Sequence, residues 1–175
     1  MNQSKLALTE ADRTRLFAAI GHIVVRFQQI ELWVAEILAD LLGLNPLDDR
    51  YSVMAAMSYR QKVDLLVALF PKKAKNHFDF EADIELARRA LYVAEEFRNR
   101  VVHSVWSVSE EENSWIREKG NLRSKAGFAK QSVCVDIDML ESAAESLRVI
   151  TEWYLTPAPN LEAAITQLKR CESFT

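Results

Sequence analysis

Glycine and proline are scarce in this chain, with four of each among 175 residues. An all-β architecture, which needs many tight turns, is therefore disfavoured. Cysteine is scarcer still, since Cys134 and Cys171 are the only two. They form no CxxC pair, and no Cys/His cluster at zinc spacing accompanies them. Neither a disulfide framework nor a structural metal is indicated, and no cofactor is expected. Gly-rich phosphate loops and dinucleotide fingerprints are missing, which removes nucleotide-driven motors, kinases and dehydrogenases. Ser104 has no acid placed to complete a hydrolase triad, and no nucleophile elbow occurs. The longest apolar runs, such as residues 65–70, are far too short to span a bilayer. Met1-Asn2-Gln3-Ser4-Lys5 is not followed by a secretory-type apolar run, so a soluble, cytoplasmic protein without membrane contact is expected. Charge of one sign is lacking too: 22 Lys and Arg against 25 Asp and Glu leave a net −3. That speaks against a broad nucleic-acid coat, but not against an enzyme that touches RNA at one groove.

Apolar periodicity is what the sequence does have. Thr9-Glu10-Ala11-Asp12 looks like a capped helix start. Beyond it Leu16, Ile20, Ile23, Phe27, Ile30, Val34, Ile37 and Leu41 recur every three or four residues, a stripe ended by Gly43 and Pro46. Unless Gly21 breaks it, this helix spans roughly 50 Å, a length typical of bundles and dimer surfaces. Residues 46–57 fit either a short helix or an irregular connection. Ser58-Tyr59-Arg60-Gln61 matches a capping box and opens a second long helix, with Pro71 as its stop. Residues 72–79 read as a polar loop. A third core helix is expected from about Glu81 to His103, burying Ile84, Leu91, Ala94, Phe97 and Val101.

After His103 the period changes. Val133, Val135 and Ile137 alternate with Cys134 and Asp136, and Gly120-Asn121 and Gly127 punctuate the stretch. A β-hairpin or small meander inserted over about 104–136 is expected. It carries Arg117, Lys119, Arg123, Lys125 and Lys130 against Glu118 and so reads as locally basic. Asp138-Met139-Leu140-Glu141 resembles another capped start, for a helix through Tyr154 that Pro157 and Pro159 end. Asn160 then caps a short last helix to about residue 171. A mainly α fold is expected: a helical bundle of four to five helices with this insert, residues 1–175 forming one domain with its core over 10–155.

The chemistry concentrates in Phe97-Arg98-Asn99-Arg100-Val101-Val102-His103. Arg98 keeps its charge and grips phosphate through forked contacts, while His103 exchanges a proton near neutrality. The pairing suits phosphodiester cleavage. On an ideal helix Asn99 and His103 share a face, whereas Arg98 is rotated away. Either a phosphate spans both groups or two chains build a composite site. The plainer alternative pairs Arg98 with Glu95 and uses His103 to cap a carbonyl at the helix end. Glu31 and Lys62 flank apolar faces and are read as an ion pair at the core edge, either fixing packing or supporting the catalytic helix. Trp106 is able to stack on a base, or else packs against the bundle, as Trp115 and Phe128 also can. His22 and His77 have no partner at ligand spacing.

With Arg98-Asn99-Arg100-Val101-Val102-His103 late in a core helix, the chain resembles the HEPN superfamily of small helical proteins. Looser likeness extends to Phe27, Ile30 and Glu31 on the first helix and Gln61-Lys62-Val63 on the second. The β-like insert is not part of the minimal four-helix pattern. The resemblance implies a metal-independent ribonuclease, often a toxin or phage-defence effector, whose site forms when two chains join their motifs. His103 would then be the general acid/base, Arg98 would stabilise charge on the phosphate, and Asn99 would orient His103 or hold a phosphate oxygen. Arg100 and Trp106 would contact RNA, with Glu31 and Lys62 in support. Implied partners are a second copy, RNA, and a cognate antitoxin or nucleotidyltransferase-like protein. The alternative is a non-catalytic helical dimer that binds a partner protein or a nucleotide.

Overall fold

Thr9 opens the first helix by a reciprocal cap. Its hydroxyl accepts from the Asp12 amide, and the Asp12 carboxylate accepts from the Thr9 amide at 2.8 Å. The computed structural model describes residues 9–44, 47–73, 80–109, 114–121, 129–153 and 160–171. Helix α1 (Glu10–Leu42) runs for 33 residues. Gly21 does not break it. It ends at Gly43, whose φ of 68° turns the backbone N–H onto the Ala39 and Asp40 carbonyls.

The ambiguous stretch after Gly43 is helical: α2 (Leu47–Ala55) buries Met54 and sends Arg50 to Glu36 and Asp40 of α1 at 2.9 and 2.5 Å. Helix α3 (Tyr59–Lys73) starts where the capping box predicts, with the Ser58 amide donating to the Gln61 side chain at 2.8 Å. Pro71 does not stop it. The proline is third from the helix end, and its fixed φ is compatible with helix, so the chain keeps its course for two more residues. Residues 72 and 73 are therefore helical rather than loop, and 74–79 lie outside the described residues.

Helix α4 (Phe80–Val102) buries the five expected apolar side chains, from Ile84 to Val101. A three-stranded antiparallel meander follows in the order β1 (Val105–Ser109), β2 (Ser114–Asn121), β3 (Ala129–Val135). Register pairs Trp106 with Arg117 and Val108 with Trp115, then Trp115 with Val135 and Arg117 with Val133. Those residues share the face that packs on the helices, and Trp115 is buried there. Arg117 is buried on that face too, so its share of the insert's basic charge is turned towards the helices. The side chains of Lys119, Arg123, Lys125 and Lys130 lie outside the described residues. Gly120 and Asn121 extend β2 rather than turning the chain.

Helix α5 (Ile137–Thr151) begins two residues earlier than the Asp138 cap predicts. Asp136 is the N-cap, accepting from the Asp138 amide at 2.9 Å. Asp138 and Glu141 instead hold Arg15 of α1 at 2.5 and 2.8 Å. Residues 154–159 lie outside the description, and Asn160 caps α6 (Leu161–Arg170) through the Ala163 amide as expected.

The fold is mainly α with a small antiparallel sheet. Its larger core gathers Leu16 to Val34 of α1, the inner faces of α4, α5 and α6, and Trp115. A smaller core joins Ile37, Leu38 and Ala39 to Met54, Leu66, Phe70 and Ile84. Among the described residues, no helix is long and apolar enough to cross a membrane.

Candidate active site

The last turn of α4 carries the motif because Phe97 and Val101 face inward and are almost fully buried. That phase leaves Arg98, Asn99 and Arg100 half-buried, and Val102 and His103 exposed. The His103 amide still donates to the Asn99 carbonyl at 3.1 Å, so the two residues sit on successive turns of one face.

Helix ends leave carbonyls without amide partners, and a cationic side chain is a common remedy. Here two neighbours supply it. The Ser104 hydroxyl donates to the Arg100 carbonyl, and the Trp106 indole N–H donates to the Val101 carbonyl at 3.1 Å. The His103 ring is not used as a cap and stays exposed. Trp106 packs against the larger core through the same contact, which is the structural alternative to base stacking.

Arg98 makes no ion pair with Glu95, the plainer sequence reading. Glu95 is held by Arg60 of α3 at 2.6 Å, and Arg60 also reaches Glu96 at 3.1 Å. Arg98 instead lies over the ring of Phe27, its guanidinium carbon 4.7 Å from the centroid. Its Nη1 donates to Asn99 Oδ1 at 2.8 Å. Spending the amide oxygen this way leaves Asn99 with its N–H groups to offer. The Arg98–Asn99 surface therefore presents donors, the chemistry a phosphate oxygen accepts.

Phe27 is itself held in place. Tyr59 packs against it with centroids 5.1 Å apart and planes tilted by 53°, and the Tyr59 hydroxyl donates to the Leu91 carbonyl of α4 at 3.3 Å. Burial pushes the Tyr59 phenol well above its ordinary ionisation range, with Glu95 and Glu31 adding to the shift. Lys62 and Glu31 do come together across α1 and α3, at 3.9 Å, with the lysine buried. This pair braces α1 against α3 one turn from Phe27. Among the described residues it makes no bond to Arg98 or His103.

The sequence reading thus brings Arg98, Asn99 and His103 to one end of α4 with Arg100 beside them. It did not identify Phe27 as the seat of Arg98. The only trace in the sequence is an aromatic in an otherwise aliphatic stripe. A groove of about 680 Å³ lies elsewhere, between α5 and α6, lined by Glu145, Glu152, Glu162 and Arg170 among others. No three His, Cys, Asp or Glu side chains converge as metal ligands among the described residues. No family model matches this chain, and neither does any curated protein or solved structure.

Proposed function

We propose that this chain is a HEPN-type, metal-independent RNA endonuclease acting as a cytoplasmic homodimer, in a toxin or phage-defence setting. The observation that carries the reading is the state of Arg98. It is held by a ring and an amide, without a carboxylate partner among the described residues, at the same helix end as the exposed His103 five residues on.

Cleavage without a metal uses the RNA's own 2′-hydroxyl. That oxygen attacks phosphorus while the 5′-oxygen departs on the opposite side, leaving a 2′,3′-cyclic phosphate and a 5′-hydroxyl. Arg98 and the Asn99 amide donate to the non-bridging oxygens as charge gathers there. His103 removes the 2′ proton or supplies one to the leaving oxygen. One imidazole cannot serve both sides of an in-line path in a single step. A second copy supplies the other, which is the chemical reason for the dimer. Exposed Phe17, Val25 and Leu32 along α1, with Val102 and Val105 near the motif, offer apolar surface for such pairing. An antitoxin or nucleotidyltransferase-like partner would block or modify the motif surface.

The test is incubation of the purified chain with fluorophore-labelled RNA in EDTA, against His103→Ala. Wild type is expected to cut and leave cyclic-phosphate ends, and the variant to lose roughly 10²- to 10⁴-fold in rate while keeping its helical circular dichroism. Equal cutting by both, or loss of cutting in EDTA, refutes the reading. A folded dimer that binds RNA or a partner without cleavage selects the non-catalytic alternative.

A further inference from the structure

A planar guanidinium recognises a phosphate only if its plane and its rotation within that plane suit the incoming oxygens. Two separate contacts constrain these two angles for Arg98. The bond to Asn99 Oδ1, at 2.8 Å, sets the rotation. The Phe27 ring, its centroid 4.7 Å from the guanidinium carbon, limits the tilt of the plane on that side.

Phe27 is 1% exposed and lies in the larger core, so an aliphatic side chain of similar size would fill its volume. An aliphatic would not hold a cation. The ring face carries the negative lobe of the aromatic quadrupole, and that attraction is strongest where water is excluded. The ring cannot easily tip away, because Tyr59 packs against it and is tied by its hydroxyl to the backbone of the helix that carries Arg98. Helices α1, α3 and α4 thus meet at one cation.

We propose that Phe27 is a positioning residue of the motif: its ring face limits the tilt of the plane in which Arg98 offers its outward N–H groups to an RNA phosphate. The inference rests on the nuclease reading for its catalytic consequence, and on the stack alone for its physical one. Phe27 touches no reacting atom. It acts through Arg98.

The experiment compares wild type with Phe27→Met and Phe27→Leu, which keep an apolar core residue and remove the ring. Nuclear magnetic resonance of the Arg98 Nε–Hε group reads the stack directly. In the wild-type chain the proton is expected upfield of other arginines by the ring current, and in folded Phe27→Met it returns to the ordinary position. RNA cleavage by that variant is expected to fall about tenfold in kcat/KM. Affinity for 2′-O-methyl RNA, which lacks the nucleophile, is expected to fall by a similar factor.

An unshifted Arg98 proton in the wild type overturns the proposal, even if neither variant folds. So does a ringless variant that cuts and binds as the wild type does. If the wild type binds 2′-O-methyl RNA yet never cuts RNA, the nuclease reading fails; a tenfold affinity loss in Phe27→Met then still supports the positioning role. If it does neither, both are refuted.

Discussion

Helix α4 stacks arginines on aromatic rings in two places, and the surroundings differ in one respect. Midway along the helix, Arg60 and Arg88 lie over the ring of Tyr92, at 5.1 and 5.3 Å. Both also hold acids: Arg60 has Glu95 and Glu96, and Arg88 has Asp64 and Glu85. The Tyr92 hydroxyl donates to the same Asp64, and that bond, with Arg88 beside it, holds the carboxyl below its usual range. At the end of the helix Arg98 has the ring of Phe27 and the amide of Asn99, and no acid among the described residues. A stack closed by carboxylates has its positive charge already met and serves as a brace between helices. A stack closed by a neutral amide keeps a net positive charge at the surface, available to an anion.

The largest effect that would sharpen this contrast is expected from Arg98→Lys. Lysine keeps the charge but loses the fork and the plane, so RNA cleavage should fall by roughly 10²-fold. Unchanged cleavage in a quenched-RNA assay would put Arg98 alongside Arg88 as a brace. A smaller effect concerns the ring that seats Phe27. An unfolded phenol ionises near 10.0, and the folded Tyr59 does so higher. Its contribution to stability is therefore fully present below pH 10 and is lost as pH rises beyond it. Tyr59→Phe should cost about 1 kcal/mol of hydrogen bonding near neutrality and flatten the alkaline loss, read by urea titration between pH 9 and 11. An identical alkaline slope in both proteins would contradict the burial. The smallest effect is expected from Arg88→Ala, a half-buried cation whose pairs with Asp64 and Glu85 are largely solvated: cleavage unchanged and a melting point near that of the wild type. A loss of cleavage there would erase the distinction between the two stacks.

What the sequence disclosed and what it withheld divide by distance along the chain. Thr9, Ser58 and Asn160 were legible as caps because a cap is written within three residues of itself. The stripe on α1 and the alternation in β3 were legible for the same reason. Asp136 and Asp138 compete for one role over two positions. The choice falls to Asp136 because Asp138 is drawn to Arg15, a residue 123 positions away. Pro71 in the last turn and Arg117 on the inner sheet face likewise depend on what lies across from them. The candidate site shows the same division. Arg98, Asn99 and His103 stood out as a local string. The release of Arg98 from Glu95 depends on Arg60 arriving from α3, and the seat on Phe27 depends on α1. Helical spacing alone contains neither.

Helix α1 has a bearing beyond the motif. Its first two-thirds line one apolar interior and its last turns line the other, while Val67 and Trp153 touch both. A rod shared by two compartments couples them mechanically, since unwinding that runs past Val34 strips lining from both. The strain of opening one compartment is passed to the other along this single beam, so the chain is built to yield as a unit and not in halves.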